Sequence, residues 1–110
     1  MNLMVFHGNQ RVQQLSAHDR GLAYGDGLFE TILVSHADFV WWPQHWQRLS
    51  AGASRLGIAM PDEATIVSAA RELIDKQHCV IKIIVTRGDS ARGYKPEASL
   101  PTTVVSVHPA

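Results

Sequence analysis

The spacing of hydrophobic and polar positions changes along the chain, and each change marks an element boundary. Residues 3–6 are apolar, residues 7–10 hold Gly8 and Asn9, and residues 11–15 can return as a strand, which predicts an opening hairpin. Residues 16–27 are polar and punctuated by Gly21, Gly25 and Gly27, so they are expected to form an ordered loop leading into a strand. Residues 28–35 are rich in strand formers (Phe29, Thr31, Ile32, Val34). A turn over 35–38 and a second strand over 39–42 complete that hairpin. Pro43 then opens a helix, where its missing N–H costs nothing. Trp42, Trp46, Leu49, Ala53 and Leu56 recur at helical spacing and fall on one stripe, and Gly57 ends the helix. A second helix is expected from Asp62 to about Gln77, with Ile66, Ala70, Leu73 and Ile74 as its buried stripe. Residues 79–86 read as a strand apolar on both faces, 87–101 as a loop, and 102–107 as the closing strand.

Strands and helices are therefore segregated rather than alternating. This predicts an α+β domain, a mostly antiparallel sheet with two helices packed on one face. A dinucleotide-binding fold would alternate its strands and helices, so it is discounted. The 110 residues suffice for one domain with a modest core.

Composition narrows the function classes. Ten basic residues balance ten acidic ones, which gives no electrostatic reason to expect nucleic acid or an anionic membrane as partner. The apolar runs are too short to span a bilayer, and the first residues do not resemble a signal peptide. The single cysteine, Cys79, excludes an intrachain disulfide and lies in an apolar run, as a buried inert thiol would. A cytoplasmic setting is expected. The six histidines show no close pair at metal-ligand spacing, so no metal site is expected. No Gly-x-Ser-x-Gly elbow is present, and serine hydrolase chemistry has no support.

Three segments could carry chemistry. The first is 19–31, where glycines allow sharp turns and close approach of another group. On local physics it reads first as a structural turn. The second is a flank of the first helix, where His45, Arg48, Gly52 and Arg55 project to the same side. Arg48 sits at the boundary of the apolar stripe, where an arginine can bury its stem and present a donor fork to a phosphate or carboxylate. Spacing alone favours the plainer reading, a solvated arginine beside a histidine packed on the sheet. The third is the loop from Arg87 to Pro96, which suits carboxylate capture through its arginines and equally suits simple disorder.

Together the three segments resemble the small domain of the fold-type IV pyridoxal-phosphate enzymes. The matching stretches are DRGLAYGDGLFET (19–31), HWQRLSAGASRLGI (45–58) and IKIIVTRGDSARGY (81–94), in the family's order and covering nearly the whole chain. Within that family the resemblance is greatest to 4-amino-4-deoxychorismate lyases. D-amino-acid and branched-chain aminotransferases are the alternative, although the former tend to carry tyrosine where this chain has Phe29.

The resemblance implies roles residue by residue. Arg48 looks like the arginine that contacts the phosphate of pyridoxal 5'-phosphate. Arg92 looks like the loop arginine that binds a substrate carboxylate, and Tyr94 holds the neighbouring position. Phe29 and Glu30 fall on the strand that lines the pocket, and Arg48 and Arg92 are expected to face a shared hollow. A homodimer acting on a small-molecule substrate is implied. The family's cofactor-binding lysine belongs to a second domain. Lys76, Lys82 and Lys95 do not match its position, so residues 1–110 are expected to be the amino-terminal domain of a longer enzyme, inactive alone. A reading of another class is a non-catalytic module that dimerises or binds a small anion.

Overall fold

The computed structural model describes residues 2–89 and 100–110. Among these, six strands and three helices run in the order β1 (Leu3–His7), β2 (Gln10–Val12), α1 (Arg20–Tyr24), β3 (Gly27–Ser35), β4 (Asp38–Phe39), α2 (Trp42–Leu56), α3 (Glu63–Leu73), β5 (Cys79–Thr86) and β6 (Thr102–Pro109). The strands form one sheet in the order β2-β1-β6-β5-β3-β4, with every neighbour antiparallel. This is the expected α+β architecture, with α2 and α3 supplying the helical layer.

Period-two alternation decides what faces that layer. In β3, Glu30, Ile32 and Val34 are buried while Phe29, Thr31 and Leu33 are exposed. In β5, Ile81, Ile83 and Val85 are completely buried, and Val105 of β6 joins them by pairing with Ile83. Leu49 and Ala53 of α2, and Ile66, Ala69, Ala70 and Leu73 of α3, close the core from the helical side. Each large apolar side chain so buried stabilises the fold by about 1.5–3 kcal/mol. Trp42 and Trp46 stack at 5.6 Å and pack against this core, and the Trp42 indole N–H donates to Glu63 at 2.8 Å, tying the two long helices together.

The elements depart from the expected boundaries in instructive places. The stretch read as a loop before β3 contains the short helix α1. Gly21 within it weakens a helix locally, and tertiary contacts hold it. The Asp19 side chain accepts from the Gly21 N–H and from the Thr86 hydroxyl, both at 2.8 Å, and Gly25 ends the turn in the left-handed region at φ 66°. A side chain at Gly21 would collide with Thr86, its Cβ lying 2.2 Å from Thr86 Cγ2, so glycine is what lets α1 reach β5. The strand expected over 39–42 stops at Phe39. His36 and Ala37 turn the hairpin with both φ angles positive, Trp41 takes φ 58°, and Trp42 already begins α2. Leu56, placed on the buried stripe by its spacing, is exposed in the last turn of α2. Helix α3 ends at Leu73 rather than near Gln77, because the chain must turn back to enter β5 at Cys79. The return strand β2 is limited to Gln10–Val12.

Candidate active site

Consecutive residues of β3 point to opposite faces, and this organises everything near it. Glu30 points toward the helices and is 7% exposed. His45 and Arg48, three residues apart on α2, occupy one flank of that helix and both reach it. His45 Nδ1 lies 2.6 Å from Glu30 Oε1, Arg48 Nη2 donates to the same oxygen at 2.7 Å, and Arg48 Nε donates to Oε2 at 2.9 Å. Hydrogen bonds from Arg48 hold the Glu30 carboxyl below its ordinary pKa, against the opposing effect of burial, and His45 adds to the lowering. The same pairing raises the pKa of Arg48. The Arg48 side chain remains 72% exposed, so one edge of its guanidinium is fixed by a carboxylate while the other faces outward.

α2 packs closely on β3 at Gly52. A Cβ there would lie 2.8 Å from Leu28 Cδ1. Past this point β3 is open on its outer edge, since β4 pairs only with Val34 and Ser35 among the described residues.

Phe29 faces the other way and is 59% exposed. It lines a cavity of about 430 Å³ floored by β3, β5 and β6 and walled by α1, with Leu22, Ile84 and Val104 among its apolar lining. The volume is in the range of small-molecule sites. The Lys82 ammonium sits 4.8 Å from the centre of the Phe29 ring on the same face. Thr86 and Thr102, where the chain leaves β5 and enters β6, also line the cavity. Arg92 and Tyr94 lie outside the described residues.

Of the two residues placed on the pocket-lining strand, Phe29 borders this cavity and Glu30 does not. Glu30 is turned by the strand's alternation into the helical interface, where both its oxygens accept hydrogen bonds. Arg48 does not line the cavity either. It lies on the helical side of β3, across the strand's open edge from Phe29.

A third cluster escaped the sequence reading. Asp26 accepts from Arg20 Nε at 3.0 Å and from Arg87 Nε at 2.7 Å and Nη2 at 3.3 Å. Burial works to raise the Asp26 pKa, but the hydrogen bonds from Arg87 and Arg20 outweigh it and hold the carboxyl below its ordinary value. Arg87 also donates to the carbonyls of Leu56 and Gly57, the free end of α2. This knot joins α1, the start of β3, the end of α2 and the root of the loop. Arg20 and Asp26 lie in the 19–31 stretch and Arg87 in the 81–94 stretch, but nothing along the chain pairs them, and they meet only through the fold.

No group of three or more His, Cys, Asp or Glu side chains among the described residues could hold a metal ion. No helix among them is long and apolar enough to cross a membrane. Cys79 is buried at the start of β5, and burial, helped by Asp75, pushes its thiol pKa up.

Similarity to known proteins agrees with this arrangement. The family model for amino-transferase class IV matches residues 27–110. The chain belongs to that family. Over 79 residues it is 37% identical to an aminodeoxychorismate lyase of Vibrio harveyi, covering 71% of this chain and 29% of that protein. The structure of 4-amino-4-deoxychorismate lyase from Pseudomonas aeruginosa superposes with a TM-score of 0.78 at 36% identity, covering 96% of this chain and 39% of that one. A hypothetical aminotransferase from Mycobacterium tuberculosis, solved in a PLP-bound form, superposes with a TM-score of 0.73 at 28% identity, covering 98% of this chain and 40% of that one. The chain thus spans well under half the length of these relatives.

Proposed function

We propose that residues 1–110 are the amino-terminal small domain of a longer pyridoxal-phosphate lyase. In this reading the whole enzyme splits 4-amino-4-deoxychorismate into 4-aminobenzoate and pyruvate, works as a homodimer in the cytoplasm, and takes its cofactor-binding lysine from a second domain. The observation that carries the reading is the state of Arg48. A guanidinium that is exposed yet held on one edge by a buried carboxylate is prepared to receive a phosphate on its other edge. Identity of 36–37% to two lyases favours that reaction over the others known in the family.

The residues present fit the phosphate end of the cofactor. Arg48 would hold that phosphate, and Phe29 would bound the substrate space on the far side of the open edge of β3. The cofactor, when bound, supplies the electron sink for the bond cleavage. This chain's residues bind and orient. Arg48 fixes the anionic end, the apolar wall of Phe29, Leu22 and Ile84 shields the reacting part from water, and Arg92 holds a substrate carboxylate with Tyr94 beside it. Proton movement belongs to the lysine of the second domain.

Aminotransfer is the second reading, favoured by the likeness to the M. tuberculosis protein. Incubating the full-length enzyme with 4-amino-4-deoxychorismate, without any 2-oxo acid acceptor, separates the two. Equimolar 4-aminobenzoate and pyruvate are expected. Transfer of an amino group from an amino acid to a 2-oxo acid, with no 4-aminobenzoate formed, would overturn the lyase reading.

A further inference from the structure

We infer that Glu30 and His45 are positioning residues that set the direction of Arg48, and that Glu30 does not touch substrate. The inference rests on the proposed role of Arg48 as phosphate anchor. Three observations support it. Glu30 is buried on the helical face of β3, away from the cavity that Phe29 lines. Both of its oxygens are engaged: Oε2 by Arg48 Nε, and Oε1 by Arg48 Nη2 and His45 Nδ1. Arg48 is otherwise a long side chain on an exposed helix flank, with several rotamers open to it and no other hydrogen-bond partner among the described residues.

A carboxylate that grips Nε and Nη2 together fixes the guanidinium plane as well as its position, because the two bonds are parallel and the fork is rigid. The outward edge is then aimed before any ligand arrives, and less freedom is lost on binding. His45 completes the device. It contacts the oxygen shared with Nη2 and opposes rotation of the Glu30 carboxylate about its own axis. Gln at position 30 keeps the size but turns an NH₂ group toward donors, so it releases the arginine with little change in volume.

The test compares pyridoxal 5'-phosphate with pyridoxal, which lacks the phosphate, by spectroscopic titration of the full-length enzyme. Wild type, Glu30→Gln, His45→Ala, Arg48→Ala and the Glu30→Gln/Arg48→Ala double variant are titrated alongside melting temperatures. Glu30→Gln is expected to weaken the phosphorylated compound about tenfold and leave pyridoxal unchanged. His45→Ala should do the same to a smaller extent, about two- to threefold. The double variant should bind no more weakly than Arg48→Ala, since both changes act through one guanidinium. Equal weakening of both compounds in Glu30→Gln and His45→Ala would mean a merely structural role and overturn the inference. So would an intact preference for the phosphorylated compound in those variants when Arg48→Ala has lost it. If Arg48→Ala itself keeps the preference, the phosphate reading fails and the positioning role falls with it. Should Glu30→Gln fail to fold, His45→Ala carries the same comparison.

Discussion

Replacing Asp26 by asparagine is expected to lower the stability of the fold by roughly 2–3 kcal/mol, somewhat less than the loss on breaking a fully buried ion pair. Asp26 is 17% exposed at its side chain and neutralises two arginines, Arg20 and Arg87, that are at least as sheltered. The amide keeps the shape but removes the carboxylate charge that Arg20 and Arg87 share. Because Arg87 also caps the end of α2 and stands at the root of the 87–101 loop, the damage should spread from α1 to the loop. Urea titration followed by circular dichroism measures it, and an unchanged midpoint would contradict the assigned role.

The same carboxylates predict an acid limb. Asp26 and Glu30 both have folded-state pKa values below their ordinary ones, so between the two values the unfolded chain binds more protons than the folded one. Their contribution is complete above the ordinary carboxylate range, near pH 4, and is lost as pH falls through the lower folded-state values. Stability should therefore decline below about pH 4. Asp26→Asn should flatten that decline.

Replacing Arg48 by alanine in the full-length enzyme is expected to weaken pyridoxal 5'-phosphate binding roughly 10- to 100-fold, the range for losing a charged hydrogen-bond donor. The loss should shrink when pyridoxal is the ligand. The helix itself should survive, because Arg48 is exposed and alanine is the better helix former. Removing the arginine leaves Glu30 buried with His45 as its remaining partner, so a modest drop in melting temperature should accompany the binding defect. Equilibrium titration monitored by cofactor absorbance reads the first effect and thermal unfolding the second. An unchanged affinity for the phosphorylated compound would remove Arg48 from the site.

The long elements were legible because their patterns are strong and locally consistent. The strand over 79–86 matches β5, and the stripe through Leu49 and Ala53 marks the buried side of α2. What could not be read is what tertiary contacts impose. α1 forms despite Gly21 within it, because Asp19 and Thr86 hold it. Trp42 has the composition of a strand residue but follows a left-handed Trp41 and starts a helix. At the site, His45 and Arg48 were visible together from helical spacing. Their common partner Glu30 was not, because spacing along α2 says nothing of which strand lies beneath it. The period of β3 held that answer in part: residues 29 and 30 point to opposite faces of the sheet, so Glu30 turns toward the helices when Phe29 turns away. The residues of the Asp26 knot lie in two of the matching stretches, but their pairing had no such signal, since 61 positions separate Asp26 from Arg87.

The central claim is that Arg48 meets a phosphate with the edge that Glu30 leaves free. A crystal structure of the full-length enzyme with pyridoxal 5'-phosphate measures this directly. The expected result is a phosphate oxygen about 3 Å from the outward nitrogens of Arg48, with both Glu30 contacts retained. A phosphate bound elsewhere, with Arg48 still turned to solvent, would contradict it.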